Sequence, residues 1–176
     1  MSFFVPKLGQ ILTPLKQPIK MTIEKHATNN VGGICKLFYF YISDLINLKP
    51  IANQKVEIEI RSLAQFHQIK FTHDTAFIEE ELKKDKDGKY TELKLKAFLP
   101  GATEDLIQEL TPMLTSRIGI IYQLNSGEWK TAGTKQEPIQ ILTSFETGSK
   151  FTDLKGVTIE TTRQFISPIP YTNPVT

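Results

Sequence analysis

Through most of this chain apolar and polar residues alternate with a period of two, the spacing of half-buried β-strands. "KMTIEKHA" sets Met21, Ile23 and Lys25 against Thr22, Glu24 and His26, and "KVEIEI" sets Val56, Ile58 and Ile60 against Glu57 and Glu59. "KLFYFYI", 36–42, is apolar on both faces. That suits a central strand between two covered surfaces, or one whose outer face meets another chain. The same spacing predicts strands over 68–72, 117–124, 128–132, 139–145 and 156–165. "LNSGEW" reads as the turn between two of them, because Asn, Ser and Gly tolerate tight-turn dihedrals. Longer connections are expected at 49–54 and 136–138.

One segment has helical spacing instead. In "GATEDLIQELTPML" Thr103 is placed to cap, Glu104 and Asp105 fall in the first turn, and Leu106, Ile107 and Leu110 share a face. Pro112 predicts an end near Leu110, since the residue before a proline avoids the helical region. The apolar side of so short a helix must cover a sheet. The expected fold is therefore mainly β, a β-sandwich or barrel with one short flanking helix.

The stretch "EEELKKDKDGKYTELKLK", 79–96, predicts a long charged hairpin. An Asp87-Gly88 two-residue turn places Lys86 opposite Lys89 and fixes the register. Leu82 then opposes Leu93, Ile78 opposes Ala97 and Phe77 opposes Phe98. Glu81 opposes Lys94, Glu79 opposes Lys96 and Lys83 opposes Glu92, so Glu79, Glu81, Lys83, Glu92, Lys94 and Lys96 form one face of mixed charge. The other face holds Ile78, Leu82, Leu93, Leu95 and Ala97, with Glu80 as a charge in its middle and Lys84 near the tip. A calcium loop is excluded, because counting from Gly88 as the sixth position puts Lys83 first and Lys94 twelfth, where carboxylates are needed. An isolated hairpin is marginally stable, so this one is expected to join a larger sheet or another subunit.

Length and composition fit one domain with extensions. The chain has 176 residues, 21 Lys and Arg against 19 Asp and Glu, and a formal charge of +2, which gives no strong pull on nucleic acid. Six of its ten prolines lie near the ends, so 1–19 and 167–176 read as extended arms around a body at 20–166. Phe3, Phe4, Val5, Ile11, Leu12, Ile169 and Tyr171 are the apolar arm residues, available to dock on the body or on a neighbouring copy. The lone Cys35 reads as a small buried hydrophobe in a reducing compartment. No signal peptide is expected, and the most apolar window, 34–48, is too short and too polar to span a bilayer. A protein made in a cytoplasm, with no membrane partner, is the expectation.

No chemistry is legible. The chain lacks G-x-S-x-G, a phosphate-binding G-x-x-x-x-G-K-[ST], H-E-x-x-H and a cysteine pair for zinc. "FETGSK" lacks the earlier glycine and the following helix of a phosphate loop. No catalytic, cofactor-binding or metal residues are therefore assigned, and a hydrolase built from His67, His73 and Asp74 is kept only as a competing reading. His67 and His73 would lie about 20 Å apart on a continuous strand. The other competitor is a β-sandwich that binds a peptide or sugar through Trp129 and the aromatic run Phe38, Tyr39, Phe40 and Tyr41.

Taken together, "NNVGGICKLFYFYISDLI", the charged hairpin, "PGATEDLIQEL" and "IGIIYQLNSGEWKTAGTKQEPIQIL" with a final strand resemble structural proteins of bacteriophage tails, especially the tail-tube family. The likeness is one of pattern, over 20–165. It implies a β-sandwich with a flanking helix whose hairpins join those of neighbours in a hexameric ring, with stacked rings forming a tube for the genome. It implies no catalytic residues. The charged hairpin face is then the candidate lumen, and the arms are candidate contacts between subunits. The partners are other copies, other virion proteins and DNA passing without sequence-specific binding, and the location is the virion. A neck, baseplate or capsid accessory protein shares these features.

Overall fold

The computed structural model describes residues 32–52, 54–86, 88–101, 103–146 and 155–175. The strand predicted at 21–26, His26, and the arm residues Phe3, Phe4, Val5, Ile11 and Leu12 lie outside them. The strands are β1 (Ile34–Tyr41), β2 (Leu45–Ala52), β3 (Lys55–Ile60), β4 (His67–Ile69), β5 (Phe77–Asp85), β6 (Gly88–Pro100), β7 (Ile118–Leu124), β8 (Trp129–Ala132), β9 (Leu142–Glu146), β10 (Gly156–Phe165) and β11 (Tyr171–Thr172), with helix α1 (Glu104–Thr115) between β6 and β7. They form two sheets, a seven-stranded one in the order β2-β3-β11-β8-β7-β1-β4 and a four-stranded one in the order β5-β6-β10-β9. The mainly-β expectation holds: the described residues form two sheets and one α-helix, with no closed barrel among them. No described helix is long and apolar enough to cross a membrane.

The main core lies between the sheets. Leu93, Leu95, Ala97 and Leu99 of β6 and Val157 and Ile159 of β10 meet Leu37 of β1 and Ile118, Ile120 and Tyr122 of β7. Helix α1 adds Leu110 and Met113. A second cluster, Phe40, Ile42, Leu45, Ile121 and Trp129, lies on the far side of the larger sheet, with Phe38, Leu48, Ile58 and Ile60 packed on it. Leu45, Leu48, Ile58 and Ile60 belong to β2 and β3, so this end of the sheet coils back over β1, β7 and β8. That accounts for β1 being apolar on both faces: Leu37, Tyr39 and Tyr41 face one core, and Phe38 and Phe40 the other.

Several expectations are corrected. Helix α1 runs on past Pro112 to Thr115. The missing N–H forfeits one backbone bond, while Thr111 donates its hydroxyl to the Ile107 carbonyl at 2.7 Å and Met113, one residue past the proline, is fully buried. Burying Met113 outweighs the lost bond. The N-cap is as expected, with Thr103 accepting from the Leu106 N–H at 3.3 Å. The connection expected at 49–54 is largely strand β2. Pro50 is tolerated there because β2 is a sheet edge and its pairing with β3 shifts register between Pro50 and Ala52. Cys35 is exposed, not buried. A bulge between Ile34 and Lys36 breaks the alternation of β1, leaving Cys35 and Lys36 both outward.

The C-terminal arm docks on the body, one of the two placements expected for it. Strand β11 lies between β3 and β8, and Ile169 is a buried core residue. The turn at 125–127 joins β7 and β8 as expected, with Gly127 at φ 96°.

Gly119 of β7 lies opposite Phe40 of β1, and a Cβ there would overlap the Phe40 ring. The ring covers the bare backbone, as aromatic side chains do beside strand glycines. Gly119→Ala is expected to destabilise the fold by roughly 1–3 kcal/mol by overpacking, and Met113→Ala by about 2–5 kcal/mol by opening a cavity. Both costs are measurable by urea denaturation.

Candidate functional site

The charged hairpin forms, in a different register. Asp85 pairs with Gly88. Asp85 and Gly88 thus occupy the first and fourth turn positions, which Asp and Gly favour in the commonest β-turn. The Asp85 carboxylate accepts from the Lys86 N–H, and Gly88 takes φ 136°, which a side chain would resist. Opposed pairs become Phe77–Lys96, Ile78–Leu95, Glu79–Lys94, Glu80–Leu93, Glu81–Glu92 and Leu82–Thr91. The pairings expected for Phe77, Ile78, Glu79, Glu81, Leu82 and Lys83 are therefore corrected. The slip is by two residues along one strand, and an even slip leaves every side chain on its own face. Glu79, Glu81, Lys83, Glu92, Lys94 and Lys96 still share one surface.

Their electrostatics differ from three parallel ion pairs. Glu81 and Glu92 face each other directly, an arrangement that destabilises unless cations intervene. The Lys83 ammonium bridges them, 3.0 Å from Glu81 and in a short bond to Glu92. Lys94 lies 2.9 Å from Glu79, 3.6 Å from Glu81 and 3.7 Å from Glu92. Two ammonium groups thus serve three carboxylates. Hydrogen bonding to Lys83 holds the Glu81 and Glu92 carboxyls below the usual carboxylate value. Donating to Glu92 and Glu81 pushes the Lys83 ammonium up, and donating to Glu79 does the same for Lys94.

The face continues onto β10, where Glu160 lies opposite Lys96, Thr162 opposite Lys94 and Gln164 opposite Glu92. Sequence reasoning missed these three. Their alternation with Val157, Ile159 and Thr161 was readable in "GVTIETTRQF", but their placement beside the hairpin depends on pairing across more than sixty residues of chain.

The opposite side of the hairpin packs inward. Glu80 of β5 reaches across the sandwich, accepting from the Tyr122 hydroxyl of β7 and lying 2.7 Å from the Lys130 ammonium of β8. Burial first, then the Glu80 carboxylate, pushes the Tyr122 phenol far above its ordinary value. Lys130 also sits 5.0 Å from the ring centre of Tyr171. The charge that stood alone in the sequence is a tie between the two sheets.

The remaining candidates are dispersed. His67 stacks on Tyr39 at 4.9 Å, while His73 pairs with Asp74 at 2.9 Å on the surface. Among the described residues no three His, Cys, Asp or Glu side chains form a group able to hold a metal ion. Trp129 is 7% exposed, tilted against Phe38 at 6.0 Å and capped by Lys36. It borders a hollow of about 570 Å³ with Lys55, Tyr171 and Pro174, which the aromatic run 38–41 does not line.

Among the described residues nothing pairs on the outer edges of β5 and β9 in the four-stranded sheet. Four of the chain's exposed large apolar side chains lie on them: Phe77 and Leu82 on β5, Leu142 and Phe145 on β9. No protein-family model, curated protein or solved structure matches this chain.

Two measurements check this electrostatic picture. Carboxyl titration followed by NMR should show Glu81 and Glu92 titrating below the ordinary glutamate value of 4.5. A depressed folded-state value means their pairing stabilises the hairpin above that value and is lost as pH falls through the lower one. Glu80→Gln leaves Lys130, whose side chain is only 14% exposed, without its counter-charge. It is expected to cost about 3 kcal/mol in chemical denaturation.

Proposed function

We propose that this protein is a virion structural protein that self-assembles into rings, and that it is a bacteriophage tail-tube subunit whose charged sheet face lines the channel for genome passage. The observation that carries the reading is the four-stranded sheet, with one buried face, one charged face and two edges that no described strand pairs. Every pairing in this sheet is antiparallel, so with four strands the edge strands β5 and β9 run in opposite directions. Copies related by rotation about a ring axis therefore bring β9 of one beside β5 of the next in antiparallel sense. Such head-to-tail contacts close into a ring and remove the exposed edges.

Other features support the same arrangement. Phe77, Lys96, Glu160 and Leu142 lie at one level across the sheet. From that level β5 runs towards the hairpin tip and β9 runs the other way, so neighbours pair when displaced along their strands. Tilted strands in a closed barrel have such a stagger. The larger sheet and α1 pack on the other face and fit only outside a ring, which turns the charged face inward. Four strands per copy add about 19 Å of wall. Six copies, the number the resemblance implies, close at about 37 Å across before strand tilt widens the barrel, enough for a DNA duplex to pass.

Light scattering and negative-stain electron microscopy test the reading. Rings or tubes are expected from the wild-type chain at high concentration, and a protein that stays strictly monomeric would overturn it. Replacing both Leu142 and Phe145 with Lys on the β9 edge is expected to abolish assembly while leaving the circular dichroism spectrum unchanged.

A further inference from the structure

The larger sheet has a gap in it that the chain's own C-terminal segment fills. Strands β3 and β8 are not paired with each other; β11 joins them, parallel to β3 and antiparallel to β8. It is two residues long. The Tyr171 N–H donates to the Gln54 carbonyl at 3.0 Å, the Pro170 carbonyl accepts from the Thr131 N–H at 3.1 Å, and the Thr172 hydroxyl donates to the Val56 carbonyl at 3.1 Å. Ile169 and Thr172 are buried in the slot, and Tyr171 lies against the Lys130 ammonium. Pro168 and Pro170 have no N–H to offer and hold the connector extended, leaving the Pro170 carbonyl as its acceptor from β8. Hollows remain on both sides of the strand. One is bordered by Pro50, Ile51 and Pro168, the other by Trp129 and Pro174.

We propose that the β3–β8 slot is a strand-binding site and that, in the assembled particle, it takes the C-terminal segment 167–175 of a second copy. The slot is complementary to this sequence, and every copy carries the same sequence. Exchange therefore makes the same contacts and needs no new interface. The paired part of the segment is two residues long, a short hold on the sheet beside strands of five to thirteen residues such as β6 and β9. In an isolated chain the tether favours self-occupation. Copies held side by side raise the effective concentration of the neighbour's segment. The proposal in this sense rests on the ring reading, and it adds a second, sheet-completing link to the contact between β5 and β9.

Cross-linking in the full chain tests it. Lys55 and Tyr171 are register partners on adjacent strands, within the Cα separation a disulfide accepts. So are Val56 and Thr172, which supply an independent second pair. Each pair is replaced by cysteines in a Cys35→Ser background, because Cys35 is exposed and would otherwise compete. Variants whose reduced circular dichroism spectrum matches the wild type are oxidised after assembly and run on a denaturing, non-reducing gel. Covalent dimers and longer chains from either variant are the expected result. Rings whose chains close only on themselves would overturn strand exchange and leave the ring reading standing. Self-closed chains from a protein that never assembles would overturn both.

Discussion

The fold depends on β6 being paired along both edges while only one of its faces is dry. Its register with β10 runs unbroken from Thr91–Phe165 to Pro100–Gly156, and β5 pairs along its other edge. Leu93, Leu95, Ala97 and Leu99 then point into the sandwich, which forces Glu92, Lys94 and Lys96 to the other side because strand side chains alternate. Once one face is committed to the core, the opposite face must be polar. The charge cluster is thus the outer half of the same pattern that builds the core.

Glu80 is the exception to that division, and it shows how the two sheets are set against each other. It sits on the inward face of an edge strand, where an aliphatic residue would pack more simply, yet it meets Lys130 and Tyr122 from the opposing sheet. A buried ion pair adds less net stability than apolar packing of the same volume, but it penalises every arrangement that separates its partners. Lys130 also touches Tyr171, so the tie between the sheets and the seating of the C-terminal strand share a side chain. The hairpin and the strand slot are therefore linked through Lys130.

Local patterns in the sequence were sufficient for the faces and insufficient for the partners. The alternation in "KVEIEI" and the hairpin assigned inward and outward residues, and a two-residue error in the hairpin register left its assignments intact because the side-chain period is two. The same error changed every cross-strand neighbour, putting Glu81 opposite Glu92. The turn alone did not decide between Asp87-Gly88 at its centre and Asp85 and Gly88 at its ends. Pro112 and Pro50 misled for a common reason: each proline's local penalty was outweighed by context, the burial of Met113 in one case and an edge position in the other. The C-terminal segment, rich in proline, read as an arm. Its role as a strand depends on a gap between β3 and β8 that no local pattern records.

The mixed sign of the charged face bears on the ring reading. A channel for DNA must not bind phosphates tightly, and the simplest way to achieve that is an acidic wall. This face carries Glu79, Glu81, Glu92 and Glu160 against Lys83, Lys94 and Lys96, and two of those lysines are bonded to carboxylates. Lysines bind DNA by neutralising phosphates and releasing condensed counterions. An ammonium already shared between two or three carboxylates must give them up first, and so gains little from a phosphate. The interleaving of Lys83 and Lys94 among the glutamates, including the like-charged pair Glu81 and Glu92 that they bridge, therefore makes a surface that is nearly neutral overall and offers few free cations. In the proposed ring such a surface would hold a passing duplex weakly, without the repulsion that a ring of uncompensated carboxylates would impose on its own assembly.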